Sequence, residues 1–210
     1  MYVPRHFAVD DPAGVDSFLA AHPAGQLVTV GPDGRPDVTL VPYVRDGDRV
    51  LVHLARANEH WRRVAADRPG LLVVSGADAY VSPGWYAAKR EHGRVVPTWN
   101  YSAVHLRGTV RVHDDPEWLR DVVTRLTERH ESGRDEPWAV TDAPAKYVDG
   151  QLRAIVGVEL LVETIEAKVK LSQNRSLEDR HGTIAGLEAE PGSGAHEVAR
   201  AMRAVTPESR

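Results

Sequence analysis

The chain has 210 residues, 42% of them apolar, enough for one domain that buries about 70% of its unfolded surface without staples. Its cysteine count is zero, which excludes a disulfide scaffold, a thiolate metal site and a cysteine nucleophile. Lys plus Arg number 26 against 30 Asp plus Glu, and the net charge of -4 gives no global nucleic-acid footprint. Apolar runs such as Leu71-Leu-Val-Val74 and Val158-Glu-Leu-Leu-Val162 are far too short to span a membrane. The opening Met1-Tyr-Val-Pro-Arg-His-Phe7 lacks a charged region followed by an apolar core, so no secretory signal is expected and the cytoplasm is the expected location.

Asp11-Pro12 opens a helix that His22-Pro-Ala-Gly25 stops. Strand-like runs follow at Gln26–Val30, Asp37–Tyr43 and Arg49–Leu54, with turns at Gly31–Gly34 and Asp46-Gly47, a pattern that predicts a meander of hairpins. Asn58 to Ala66 reads as a short helix with Asn58 as its cap. Leu71–Ser75 and Ala79–Ser82 read as two strands, and Pro83 to Pro97 as a long basic loop carrying Lys89, Arg90, His92 and Arg94. Val104–Val112 is strand-like, and Asp114-Asp-Pro-Glu117 starts a helix that ends near Gly133. A helical stretch over Tyr147–Leu152 precedes strands at Ala154–Val162 and Ala167–Leu171, then helices at Leu177–Leu187 and His196–Ala204. Six or seven strands without strict βαβ alternation predict an α+β, mainly β fold: an antiparallel barrel with peripheral helices, as one domain over 1–205 with a frayed tail at 206–210.

Three segments hold more polar and aromatic residues than packing requires. His53–Arg63 combines a strand end, a helix start and the cations Arg56, Arg62 and Arg63, which would suit a phosphate or carboxylate. The alternative there is a solvated basic face. Pro97-Thr-Trp-Asn-Tyr101 could stack a planar ligand and bond its edge, or simply anchor the loop. Lys168–Ser176 runs a strand into a polar knot and a helix that Ser176 caps, an ordinary turn except for Gln173-Asn174-Arg175. Dinucleotide, P-loop and nucleophile-elbow motifs are missing, and the ten histidines fall into no metal-binding spacing.

Several ordered stretches resemble the PaiB family of FMN-binding negative transcriptional regulators. They are Met1–Phe7, Ala55-Arg-Ala-Asn58 followed by Trp61-Arg62, Ala79–Tyr86, Val96–His105, Gly150–Gly157 and Lys170-Leu-Ser-Gln-Asn-Arg175. The resemblance covers nearly the whole chain. It implies a split β-barrel, a homodimer and a flat cofactor, FMN, near the subunit interface. By position, Arg56, Asn58, Trp61 and Arg62 resemble the phosphate-side segment. Trp99, Asn100 and Tyr101 resemble the ring side, and Lys170, Gln173 and Arg175 the closing segment.

Two departures from the family pattern bear on the cofactor. Thr39-Leu40-Val41-Pro42 stands where the family usually has Thr-His-Leu-Pro, and Asn58-Glu59-His60-Trp61 where it usually has Asn-Pro-Gln-Trp. The gained imidazole opens a haem b alternative, because some PaiB-like proteins are haem-dependent piperazate synthases that form an N–N bond from N5-hydroxyornithine. His60 would then be the axial ligand, and Lys89 or Arg94 would steer the carboxylate of the small-molecule substrate. Three functions stay open: an FMN-holding regulator, the haem enzyme, and a flavin reductase or oxidase. DNA binding has no support, since no helix-turn-helix signature or basic domain is visible.

Overall fold

The computed structural model describes residues 1–64 and 68–207. Seven strands form a sheet of order β2-β1-β5-β6-β7-β4-β3: β1 Ala24–Val30, β2 Pro36–Pro42, β3 Val44–Asp46, β4 Arg49–Ala55, β5 Arg68–Val81, β6 Thr98–His113 and β7 Ile155–Lys170. The helices are α1 Pro12–Ala21, α2 His60–Arg63, α3 Ala87–Glu91, α4 Pro116–Glu131, α5 Ala145–Leu152, α6 Leu177–Ala189 and α7 Ser193–Val205. The chain divides into two compact units: residues 1–19, 75–104 and 166–210, and residues 20–74 and 105–165. We call them the first and second units. Strands β5, β6 and β7 contribute residues to both.

In the second unit, β1 and β2 form an antiparallel hairpin in which Val28 faces Val38 and Gln26 faces Leu40. Strand alternation turns Leu27 and Thr29 inward while Gln26 and Val30 face out. Strand β3 pairs with β4 across the turn at Gly47, whose φ of 61° is the left-handed region that glycine enters without a Cβ clash. Asp115 caps α4, accepting from the N–H groups of Glu117 and Trp118 at 2.9 and 3.1 Å. Helical spacing then sets Val122 and Leu126 against Val44 and Leu51, and Leu119 against Val148 and Leu152 of α5.

The first unit has its own core, where Leu171 and Ala79 pack with Ile184 and Leu187 of α6 and with Val198 and Met202 of α7. Each of the larger side chains contributes on the order of 1.5–3 kcal/mol by leaving water. Gly186 of α6 lies against Trp85, and a Cβ there would sit 2.2 Å from the indole.

The split-barrel type of architecture and the helix positions follow the sequence reading, but several boundaries do not. The run read as one strand over Asp37–Tyr43 ends at Pro42, which has no N–H to continue a ladder; β2 and β3 then lie at opposite edges of the sheet. The meander is therefore two separate hairpins. Gly76–Asp78 and Glu163–Glu166 read as breaks, yet each lies inside a continuous strand, β5 and β7. The basic loop contains a 3-10 turn at Pro83–Trp85 and α3, and Trp99–Tyr101 belongs to β6 rather than to the loop. The helix expected to reach Ala66 is seen as His60–Arg63; residues 65–67, like 208–210 of the expected frayed tail, lie outside the described residues.

Candidate functional site

The segment after β4 belongs to the second unit, and nearly every polar group in it already has a partner. Arg56 donates to Arg153 O at 2.8 Å and Ile155 O at 2.9 Å, and its guanidinium pairs with Asp114, which it holds below the usual carboxylate range. Asn58 Oδ1 accepts from the His60 N–H at 2.9 Å, so Asn58 acts as a capping side chain although Glu59 occupies the cap position. Trp61 Nε1 donates to Arg56 O at 2.8 Å. Arg63 bonds Asp33 and Asp37 at 2.6 and 2.7 Å. Arg62 pairs with Glu59 at 2.7 Å in an exposed contact, and such pairs are weak. The three cations that invited an anion therefore each face a carboxylate of this chain.

His60 is 4% exposed. Its Nε2 lies 2.9 Å from Thr29 Oγ1 and its Nδ1 2.8 Å from Thr39 Oγ1. Burial pushes its pKa below the ordinary value, a tendency that Asp37 opposes and Arg63 reinforces, so the ring is a neutral bridge between two strands. Both nitrogens being engaged, this imidazole does not fit the axial-ligand role without losing a threonine bond. No group of three or more His, Cys, Asp or Glu that could hold a metal occurs among the described residues.

The other two segments meet in the first unit. Along β6, Trp99 is 48% exposed while Asn100 is fully buried, because adjacent strand residues point to opposite faces. Asn100 therefore cannot share a ligand face with Trp99 and Tyr101. Its Nδ2 instead donates to Ser172 Oγ at 3.1 Å and contacts Met202 Sδ at 3.3 Å. Ser172, where β7 turns towards α6, has φ of 63°, a left-handed conformation costly for a residue with a Cβ. Trp99 Nε1 donates to Asp78 Oδ1 at 2.7 Å, and the Tyr80 ring lies 6.2 Å away edge-on.

Lys170 brings the closing segment to β6: Nζ donates to Thr98 Oγ1 at 2.5 Å and Trp99 O at 2.7 Å. Burial pushes its pKa below the ordinary lysine value, against an opposing pull from Tyr101. Arg175 stacks over the Tyr86 ring at 4.6 Å. Gln173 is occupied by its own turn, accepting from Leu171 N at 2.7 Å and donating to Val169 O at 2.6 Å. Lys89 and Arg94 are exposed; α3, which carries Lys89, is tied down by Asp179 Oδ1 at 3.0 Å from Ala88 N. Sequence reasoning gave no site role to Thr29, Thr39, Asp78 or Tyr86, although Thr39 and Tyr86 stand in stretches compared with the family. Their partners come from distant parts of the chain, so only the folded structure shows what they hold.

What this leaves open to a ligand is an exposed indole with Lys170 beside it and Arg175 on the turn that follows. Comparison with known proteins adds the family. The family model described as "Putative FMN-binding domain" matches residues 1–164. The Bacillus subtilis protein "Protease synthase and sporulation protein PAI 2" is 34% identical over 206 residues, covering 96% of each chain. Among solved structures, the flavocytochrome Anf3 from Azotobacter vinelandii superposes with TM-score 0.60 at 22% identity, over 80% of this chain and 72% of that one. An FAD and haem binding protein from Mycobacterium smegmatis gives 0.58 at 21%, over 77% and 72%. The two structures share the fold, and the sequence match sets the family: this chain belongs to the FMN-binding domain family of split barrels, alongside the PAI 2 protein.

Proposed function

We propose that the protein is a homodimer that holds FMN, with the flavin ring against Trp99 and Tyr101 and with Lys170 and Arg175 closing over it. The observation that carries this is the 48% exposed Trp99 on a strand whose neighbour supplies Lys170, 2.7 Å from the Trp99 carbonyl. A planar anionic cofactor needs a flat apolar face with cations at its rim, and these residues fit it. Asn100 and Gln173 act behind this surface as positioning residues. Within the second unit, Arg62 is the cation most easily released to an anion, its pair with Glu59 being exposed. Bound FMN would supply an electron carrier; the chain supplies binding and orientation.

A homodimer draws support from the outer face of β1 and β2, where Val30, Val38 and Leu40 are 51, 58 and 70% exposed and adjoin one another in the hairpin register. Three large apolar side chains on one two-stranded edge are costly in water and suit a like surface. The haem reading draws no support from His60, whose ring nitrogens both hold threonines, and no step is derived through haem.

The purified protein titrated with FMN should develop the flavin band pair in the blue and near ultraviolet. Trp99→Ala and Lys170→Met should each weaken FMN at least tenfold while thermal unfolding stays cooperative. Absence of FMN uptake, or uptake unchanged in both variants, refutes the site. Light scattering should give a dimer that Leu40→Lys dissociates; a wild-type monomer refutes the dimer alone.

A further inference from the structure

Two lysines of β7 stand beside Tyr101 in the first unit, and only Lys170 has a part in holding FMN. Lys168 and Lys170 are two residues apart, so strand alternation turns both to one face. Lys168 Nζ lies 5.0 Å from the Tyr101 ring and 5.8 Å from the Tyr2 ring, and it donates to Tyr2 O at 3.1 Å. Neither lysine forms an ion pair among the described residues. Glu166, the next residue on that face, bonds the main-chain nitrogen of Met1 at 2.6 Å.

An ammonium carries three N–H donors. Lys168 uses one of them, and Lys170 uses two, on Thr98 Oγ1 and Trp99 O, so each has a donor to spare. Burial pushes the Lys170 pKa down, Tyr101 opposes this, and the neighbouring Lys168 charge adds to it. Lysine is almost never as buried as Lys168, at 7% exposed, without a counter-charge. Its cover is Tyr2, itself 83% exposed, so an incoming anion can replace the Tyr2 carbonyl without opening the core. FMN carries its charge on the phosphate, at the far end of the ribityl chain from the ring. A ring against Trp99 and Tyr101 therefore leaves these two ammoniums uncompensated. A carboxylate fits them, since its two oxygens can accept charge-assisted hydrogen bonds from both.

We propose that Lys168 and Lys170 hold a small organic monocarboxylate beside the flavin ring, as a second ligand of that site; this rests on FMN occupying Trp99 and Tyr101.

Titration calorimetry of the FMN-loaded full chain with benzoate and with its uncharged counterpart benzamide tests it. Benzoate should bind at least tenfold more tightly than benzamide. It should also shift the visible flavin bands, which an anion bound elsewhere would leave alone. Lys168→Met should erase the preference. Lys168→Gln, which can still donate to Tyr2 O, should do the same, and it answers where Lys168→Met does not fold. Equal binding of acid and amide, a preference that survives loss of the Lys168 charge, or benzoate binding without a flavin shift overturns the proposal. So does benzoate that binds only the FMN-free chain, since the lysines would then hold the cofactor's own phosphate. If FMN itself does not bind, the flavin site fails and the carboxylate falls with it; FMN uptake without a benzoate preference overturns the carboxylate alone.

Discussion

The segment around His60 and the one around Trp99 and Lys170 look alike in sequence, each mixing aromatics, amides and cations, but they resolve their polar groups in opposite ways. Around His60 every ring nitrogen and guanidinium meets a partner from the same unit: Thr29, Thr39, Asp114, Asp37. Around Trp99 the amide of Asn100 turns inward, an indole face is left at the surface, and the cation Arg175 lies over the Tyr86 ring with no carboxylate described beside it. A polar cluster that satisfies itself holds strands together. One that leaves an apolar face beside a cation is prepared for something else.

The largest effect that could break this contrast is at Asn100. If it is a buried strut and not a ligand contact, Asn100→Ala should lower unfolding free energy by about 2–4 kcal/mol in urea, because Ser172 loses its partner and a cavity opens. A variant of wild-type stability that merely loses FMN would restore Asn100 to the ligand face. His60→Ala should come next, at about 2–3 kcal/mol, since two buried hydroxyls lose their partner. The pH dependence sharpens the same point. His60 titrates below its ordinary value when folded, so the unfolded state binds the proton more readily. Stability should therefore be fully present above about pH 6.5 and decline as pH falls below it, with a shallower decline in His60→Gln. A stability that rises on acidification would contradict the neutral bridge.

Trp99→Ala should barely change stability, by under about 1 kcal/mol, while costing about 1 kcal/mol or more in flavin binding beyond lost area. Smallest of all, Arg62→Ala should shift stability by no more than about 0.5 kcal/mol, because its pair with Glu59 is exposed on both sides. A larger loss would show that Arg62 belongs with the self-satisfied cluster rather than with the groups available to a phosphate.

Helix starts were legible where a side chain caps them: Asp115 and Ser176 stand where the sequence puts them and accept the expected N–H groups. Strand lengths were less so. Ser75-Gly-Ala-Asp78 is composed like a turn, yet β5 runs through it, since neighbouring strands supply the ladder that local propensity does not. For the site, the motif positions were legible but the division of labour was not. Alternation along β6 already separates Asn100 from Trp99 and Tyr101 once the segment is known to be strand. The threonine pair that takes both nitrogens of His60 lies 31 and 21 residues away in sequence, and no local pattern announces it.

The left-handed backbone at Ser172 has an evolutionary consequence. Glycine is the substitution its φ would welcome, but glycine would strand the buried Asn100 amide; asparagine tolerates the backbone but brings a bulkier side chain into a site 4% exposed. The two positions are therefore chained: drift at either is fitness-neutral only when the other moves with it, and homologous sequences should show them exchanging as a couple rather than one at a time.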